Sequence, residues 1–228
     1  MQSPIGALDN PVWYALAGPQ AAVAEGSELA RRYHPEIARF AALPEPATTE
    51  HWDALRELVG PGGGAALFQA VEPPDGWRLG ARMETYQMVA ARPVDPPDAH
   101  AAAVLGATDV PDMLELVAQT RPGPFFARTH ELGTYVGIRD NGKLVAMAGE
   151  RMRPPGFTEI SAVCTAPSHR GRGLAATVMA AVADVIQRRG ETPMLHVLVS
   201  NTSAIALYEK LGFRVRRTID VTLVTAPT

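Results

Sequence analysis

The chain has 228 residues, of which 20% are charged and 46% are apolar, a composition typical of a folded globular protein rather than a disordered one. This length allows one large domain or two small ones. The formal net charge of −3 gives no electrostatic reason to expect nucleic acid as a partner. The single cysteine, Cys164, excludes an intrachain disulfide and fits a reducing compartment.

Targeting and metal-binding signals are weak throughout the chain. The first residues carry neither the basic nor the apolar segment of a signal peptide, and no apolar run reaches the ~20 residues needed to cross a bilayer. We therefore expect a soluble, cytoplasmic protein with no membrane partner. The six histidines include no pair with metal-ligand spacing, so no metal is predicted.

The first part of the chain, residues 1–98, mixes helical and strand patterns. Apolar spacing favours a helix over residues 21–33, and Thr49 can cap a second helix that ends at Gly60. Strands follow over residues 65–71, 77–83 and 86–91. This order predicts an α/β region.

The proline-rich segment 93–98 is the best linker candidate in the chain. We therefore predict two units, an N-terminal region of open role at 1–98 and a second domain at 99–228. Elements of the second unit are more regular, with a hairpin signal at Asn141-Gly142. Its predicted order is strand, helix, hairpin, strand, helix, strand, helix and one or two closing strands, which indicates an α/β fold with a mixed sheet.

The segment 158–175 carries the strongest chemical signal. It is typical of a buried strand, a short loop with a proline, and a glycine-rich turn that opens a helix at Leu174. A helix N-terminus exposes unpaired N–H groups, and glycines allow close approach of the backbone, so an anion can bind there. The alternative is a tight turn whose two arginines, Arg170 and Arg172, are solvated.

Two motifs resemble those of a known superfamily. Arg170-x-x-Gly173-x-Ala175 resembles the (Gln/Arg)-x-x-Gly-x-(Gly/Ala) motif with which the GNAT superfamily of N-acetyltransferases holds the pyrophosphate of acetyl-CoA. Asn201-x-x-Ala204-x-x-x-Tyr208, followed by Leu-Gly-Phe, resembles the second half of that signature. The resemblance covers about residues 104–220. Within the superfamily, the chain most resembles the glycine N-acyltransferase-like branch.

This resemblance implies a fold and a cosubstrate. The implied fold is α/β (α+β), a mixed and mostly antiparallel sheet flanked by helices, in which the central strand and the strand after the long helix splay apart to admit the pantetheine arm. The region 1–98 would precede it, as an extra α/β layer or a degenerate half-copy. Acetyl-CoA is the implied cosubstrate, and the residues implied to bind it are Val163, Cys164, Thr165, Arg170, Gly171, Arg172, Gly173, Leu174, Ala175, Asn201 and Ala204.

Acetyl transfer requires a neutral amine, and an alkylammonium of pKa ~10.4 is neutral to only about one part in a thousand at pH 7. Glu159 matches the position of the glutamate base in histone-type members, and partial desolvation on its strand is expected to raise its pKa. The alternative for Glu159 is an ion pair with Arg151 or Arg153. Glu150 and a water relay remain alternative bases.

The remaining roles concern the leaving group, the thioester and the acceptor. The resemblance makes Tyr208 the general acid for the CoA thiolate, and the backbone N–H of Val163 the donor to the thioester oxygen. Tyr208 can instead simply pack its helix onto the sheet. Phe125 and Phe126, with Glu150, are candidate acceptor-binding residues, although both phenylalanines can equally be core residues.

We therefore predict an N-acetyltransferase that moves an acetyl group to a small amine or amino acid by direct attack in a ternary complex. A protein or peptide acceptor is the nearest alternative. A non-catalytic CoA-binding or sensor protein is an alternative of another class, as is a chain that has kept the fold and lost the cosubstrate. A homodimer is compatible with the sequence.

Overall fold

The computed structural model describes residues 4–95 and 102–228. The predicted boundary at 98/99, and half of the predicted linker, residues 96–98, lie outside these residues. Five α-helices are described, namely α1 (Pro11–Leu16), α2 (Thr49–Val59), α3 (Val110–Thr120), α4 (Leu174–Arg188) and α5 (Thr202–Lys210). The strands are β1 (Ala24–Gly26), β2 (Arg31–Tyr33), β3 (Phe40–Ala42), β4 (Gly64–Leu67), β5 (Arg78–Ala90), β6 (Ala103–Leu105), β7 (Tyr135–Asp140), β8 (Lys143–Glu150), β9 (Phe157–Thr165), β10 (Thr192–Leu198) and β11 (Phe213–Thr225).

The described strands form one sheet in the order β1-β2-β3-β4-β11-β5-β10-β9-β8-β7-β6. Two neighbouring pairs within it, β3 with β4 and β9 with β10, run parallel. The other described pairs are antiparallel. The predicted mixed, mostly antiparallel sheet with flanking helices is therefore confirmed.

Strand β5 lies in the middle of the sheet although it comes from the first part of the chain. It pairs with β10 on one side, where Val89 faces Met194, and with β11 on the other, where Val89 faces Arg214. Strand β11 pairs in turn with β4. The region 1–98 thus supplies strands to the same sheet as the C-terminal part of the chain.

Both faces of the central sheet are covered, as the alternation along β8 illustrates. Ala146 and Ala148 belong to a buried cluster with the apolar side of α4, including Val178 and Ile186. Met147 between them belongs to a second cluster with α3. A strand that is buried on both faces has an uninterrupted run of apolar residues in its sequence, and β8 has this pattern.

Two expectations for the first part of the chain are wrong. The helix predicted at 21–33 is a short 3₁₀ turn, Ala21–Val23, followed by the hairpin of β1 and β2. Gly26, at φ +109°, bends the chain there, and a helix cannot accommodate that conformation. The strands predicted at 77–83 and 86–91 are one continuous strand, β5.

Candidate active site

A cavity opens where β9 and β10 separate. The two strands pair at three positions, and the last pair is Met194 with Glu159. Beyond that point a cavity of about 620 Å³ is lined by residues 160–165 of β9 and 195–198 of β10. The backbone groups that face this opening are therefore free to pair with an extended ligand, as the predicted pantetheine arm requires.

A β-bulge in β9 shapes one wall of this cavity. Met147 pairs with Cys164 and Gly149 pairs with Ser161, so two residues of β9 stand opposite one residue of β8. Ala162, in the bulge, has a left-handed φ of +53°. Its neighbour Val163 has no partner residue in either adjacent strand. A bulge leaves the extra residue outside the ladder, so we expect the N–H of Val163 to be available to a ligand.

The glycine-rich turn lies at the start of α4, where the sequence predicts an anion cradle. Gly171 and Gly173 have φ of +76° and +79°, and a Cβ at either position would meet no atom within 4 Å. The Thr177 N–H bonds to the carbonyl of Gly173 at 3.2 Å, so the N–H groups before it in α4 lack an intrahelical acceptor. Arg170 lines the cavity beside them, whereas Arg172 and Gly173 do not.

Helix α5 supplies the opposite wall. Asn201 caps this helix by accepting a hydrogen bond from the Ala204 N–H at 3.2 Å, as the sequence predicts. Both residues line the cavity, and so does Tyr208 two turns further along. Burial raises the pKa of Tyr208 to about 12, so the phenol is protonated at neutral pH.

Thr165 and Cys164 line the cavity beside the bulge. The Thr165 hydroxyl oxygen is buried and has no hydrogen-bond partner among the described residues. An orphaned hydroxyl at this position fits a ligand that carries amide groups. Burial raises the pKa of the Cys164 thiol to about 11, so this thiol is not an activated nucleophile.

The expected rise in the pKa of Glu159 is wrong. Its side chain is fully buried, and its carboxylate accepts hydrogen bonds from Arg151 Nε at 2.7 Å, Arg151 Nη2 at 2.6 Å and His196 Nδ1 at 2.8 Å. Burial alone would raise the pKa, but the charge and hydrogen bonds of Arg151, together with the hydrogen bond from His196, hold it down at about 2. Glu159 does not line the cavity, and the ion pair with Arg151 is its actual environment.

The predicted acceptor-side residues lie elsewhere. Glu150 is buried and pairs with Arg189 at 2.7 Å, outside the cavity lining. Phe125 is a core residue whose ring meets that of Tyr135 edge-on, with 5.6 Å between centroids. Phe126 lines a second, neighbouring cavity instead. None of the three lines the first cavity.

The remaining wall of the first cavity includes residues that the sequence did not single out. Most of them come from β3, from β4 and the residue that follows it, from β5 and from β11, namely Phe40, Ala66, Phe68, Met83, Thr85, Val221 and Leu223. Period-two alternation, as between Met83 and Thr85 or Val221 and Leu223, is a signal that these side chains share one face of the sheet. The sequence does not show that the strands adjoin.

His196 also lines the cavity, yet both of its ring nitrogens are engaged. Nδ1 contacts Glu159, and Nε2 lies 3.1 Å from the side-chain nitrogen of Gln87. That amide is oriented by Arg216, which donates to its oxygen, and by Leu8, whose carbonyl accepts from its nitrogen. These contacts assign His196 as the neutral tautomer with Nδ1–H, since Nε2 accepts a hydrogen bond from Gln87.

Among the described residues, no aspartate or glutamate lines the cavity, whereas Arg121, Arg151 and Arg170 do. Within 4–95 and 102–228, no group of three or more histidine, cysteine, aspartate or glutamate side chains is arranged to hold a metal ion. The same ranges contain no helix long and apolar enough to cross a membrane.

Comparisons with known proteins agree with this architecture. The family model described as FR47-like protein matches residues 135–221. N-alpha-acetyltransferase RimI of Mycobacterium tuberculosis is 34% identical over 100 residues, a match that covers 41% of this chain and 62% of that protein, less than two thirds of its length. A GCN5-related N-acetyltransferase from Kribbella flavida shares the fold, with a TM-score of 0.64 at 21% identity over 96% of both chains.

The strongest of these likenesses extends over the whole chain. A crystal structure from Novosphingobium aromaticivorans, assigned to the GNAT family of acetyltransferases, is 42% identical, with a TM-score of 0.90 and full coverage of both chains. The chain belongs to the GNAT family of acetyltransferases.

Proposed function

We propose that the chain transfers an acetyl group from acetyl-CoA to a primary amine by direct attack in a ternary complex. The observation that carries this proposal is one continuous cavity lined by the cradle at Arg170 and Gly171, by the bulged strand at Val163, and by Tyr208. A site for phosphate, a site for a carbonyl oxygen and a proton donor therefore adjoin the same space. A protein that only binds CoA does not need the last of these.

The cradle would hold the pyrophosphate through the free N–H groups at the start of α4 and the guanidinium of Arg170, which makes no side-chain hydrogen bond or ion pair among the described residues. The pantetheine arm would extend along β9, where the free N–H of Val163 and the orphaned hydroxyl of Thr165 offer hydrogen bonds. Asn201 would bind the arm from the α5 side. These contacts support acetyl-CoA as the cosubstrate.

Two groups of this chain would act on the reacting thioester. The Val163 N–H donates to the carbonyl oxygen as negative charge develops on it, which is the interaction that lowers such barriers most. As the C–N bond forms and the C–S bond breaks, Tyr208 donates a hydrogen bond to the departing sulfur, and the proton that the nitrogen loses passes to solvent. Because burial raises the pKa of Tyr208 to about 12, well above that of a thiol, stabilising the thiolate is easier for this phenol than giving up its proton.

The acceptor amine has to arrive in its neutral form, and this requirement favours a peptide α-amine. Glu159 is held in an ion pair, and no carboxylate among the described residues lines the cavity. An α-amine of pKa ~7.7–8.0 is about one-tenth neutral at pH 7, against about one part in a thousand for an alkylamine. This difference in neutral fraction corresponds to about 3 kcal/mol of deprotonation free energy that the site does not have to supply for an α-amine.

The most favoured acceptor is therefore the α-amine of a peptide or protein. This agrees with the name of the RimI relative, an N-alpha-acetyltransferase. Small alkylamines, which the sequence favours, are the weaker candidates on this argument. The likeness to the glycine N-acyltransferase-like branch stays a prediction, and an amino acid acceptor belongs in the same test.

The test is CoA release from acetyl-CoA with four matched acceptors. These are a peptide with a free α-amine, the same peptide blocked at its N-terminus but carrying a lysine, a free amino acid and an alkyl diamine. We expect the free α-amine to give the highest kcat/KM at pH 7. Greater activity with the lysine peptide or the diamine would contradict the α-amine assignment, and inactivity with every amine would contradict the transferase proposal.

A further inference from the structure

A second cavity of about 610 Å³ adjoins the first. Phe40, Ala66, Pro124 and Leu223 line both cavities, so the two share a wall. The rest of the second cavity comes from β2, β3 and the loop between them, which carries Arg39, from Val59 at the end of α2, from β4, from the end of β11 and from the loop that carries Phe126. It is therefore built largely by the N-terminal part of the chain, on the acceptor side of the site.

The charged side chains of this second cavity are arginines. Arg32 and Arg39 line it, and among the described residues no aspartate or glutamate does. Arg32 is satisfied by an ion pair with Glu25 at 2.7 Å. Arg39 makes no ion pair or side-chain hydrogen bond within the described residues, and its guanidinium lies 5.4 Å from the centre of the Phe126 ring.

This positive lining is local. The chain as a whole carries a formal charge of −3, yet the two adjoining cavities together present five arginines and, in the described part of the chain, no carboxylate. Arg170 lies at the cradle, and Arg151 and Arg32 are already paired with glutamates. Arg121 and Arg39 make no ion pair among the described residues, and of these two only Arg39 lines the second cavity, next to the Phe126 ring.

We infer that the second cavity is a subsite for the acceptor, in which Arg39 binds an acidic side chain that follows the reacting amine. This inference rests on the proposed acetyl transfer to a peptide α-amine. In a free amino acid the carboxylate is one carbon away from the amine, so it stays in the first cavity. A peptide extends by about 3.3–3.6 Å per residue, so its second to fourth residues reach the second cavity.

The preferred acceptor is accordingly a peptide N-terminus with aspartate or glutamate among residues two to four. Arginine binds a carboxylate through paired N–H donors, and its stacking on Phe126 leaves the edge of the guanidinium free for them. Polycationic amines are disfavoured, because the same arginines repel them. They also lack the acidic group that Arg39 binds.

The experiment compares three peptides that are identical except for glutamate, glutamine or lysine at positions two to four. The kcat/KM values are measured for the wild type and for R39E, with R39Q as a milder variant. R56E is the matched control, since Arg56 is an exposed arginine on α2 that lines neither cavity. Binding of fluorescent forms of the peptides in the presence of CoA, followed by anisotropy, provides a readout independent of turnover.

The wild type and R56E are expected to prefer the glutamate peptide over the glutamine peptide by about tenfold, mainly through KM. R39Q should remove the preference and R39E should reverse it toward the lysine peptide, with the KM for acetyl-CoA unchanged. Equal activity of the wild type on all three peptides, or an undiminished preference in R39E, overturns the subsite and leaves the transferase proposal standing. If acetyl-CoA binds and no amine is acetylated, the proposed function fails and this inference fails with it.

Discussion

At the scale of single residues, the buried carboxylate of Glu159 positions two side chains that line the cavity, those of Arg151 and His196. It holds Arg151, whose guanidinium carbon also lies 4.9 Å from the centre of the Phe40 ring, and it orients His196. Arg151 and Phe40 both line the cavity, whereas the carboxylate itself does not. We therefore assign Glu159 to the structure of the site and not to proton transfer.

Replacing Glu159 with glutamine should lower stability sharply, because Arg151 would remain buried without its counter-charge. The expected loss is about 3–5 kcal/mol at pH 7, measured by denaturant unfolding. The same substitution should also remove the dependence of the unfolding free energy on pH that Glu159 causes. The folded-state pKa of Glu159 is lowered from 4.5 to about 2, so its contribution is present above pH 4.5 and is lost as the pH falls toward 2.

For the wild type this linkage predicts a loss of about 3 kcal/mol of unfolding free energy over that acidic window, in excess of the loss in E159Q. A glutamine variant of unchanged stability and no turnover would contradict this account. That outcome would restore Glu159 as the catalytic base.

Replacing Tyr208 with phenylalanine tests the proposed hydrogen bond to the leaving sulfur. Turnover should fall about a hundredfold, because a donor to developing charge is lost, while the Kd for acetyl-CoA should hardly change. Steady-state kinetics with calorimetry separates the two quantities. Equal turnover in Y208F would remove the phenol from the mechanism.

Several cosubstrate-binding residues could be predicted individually, since the cradle and the cap at Asn201 depend on residues close together in sequence. Arg170 and Tyr208 line the cavity as that prediction requires, although their catalytic roles remain proposals. The environment of Glu159 could be predicted only in part. An ion pair with Arg151 or Arg153 is one of the expectations from the sequence, and Arg151 is the actual partner, but His196 comes from a strand 37 residues away. Sequence shows that arginines lie near this carboxylate, but not which of the expected environments it adopts.

At the scale of elements, the bulge in β9 is the feature on which the geometry of the site depends. Ala162 adopts a left-handed conformation there, which costs a residue with a Cβ about 1–2 kcal/mol. Since no glycine marks the position, the bulge could not be predicted from sequence. The hairpin at Asn141 and Gly142 could, and it is confirmed by φ values of +49° and +80°.

A β-branched residue at position 162 should disturb the bulge, whereas glycine should preserve it. We expect A162V to lower kcat/KM at least tenfold, because valine resists a positive φ and re-pairing of the strand would occupy the Val163 N–H. A162G should keep its activity and stay within about 1 kcal/mol of the wild-type stability. An active A162V with unchanged melting behaviour would show that the bulge is dispensable.

At the scale of the whole molecule, β5 joins the two predicted units into one sheet. It separates β10 from β11, two strands that come from the C-terminal unit. The sequence predicted strands on both sides of residue 98, although it missed β1, β2 and β3 and divided β5 in two. Strand order is a long-range property that local patterns do not carry. The division at 98/99 therefore stays a prediction about sequence units, while the sheet crosses it.

Residues 99–228 alone should not form a stable transferase. Without β5, the facing edges of β10 and β11 would be unpaired, and exposed edges favour aggregation. We expect this fragment to aggregate on size-exclusion chromatography and to show no cooperative unfolding. A monomeric fragment that unfolds cooperatively and binds acetyl-CoA as the full chain does would contradict the dependence on β5.

The central claim, that the splayed strands and the start of α4 bind acetyl-CoA, is tested most directly by calorimetric titration of acetyl-CoA into the wild type, G173E and G190E. Gly173 and Gly190 lie at opposite ends of α4 with similar φ values of +79° and +75°, and a Cβ at either would meet no atom within 4 Å. The two variants thus share the same backbone strain, and only G173E puts a carboxylate into the cradle. We predict binding to the wild type and to G190E, and a loss of at least a hundredfold in G173E. No binding to folded wild type, or equal weakening in both variants, would contradict the account.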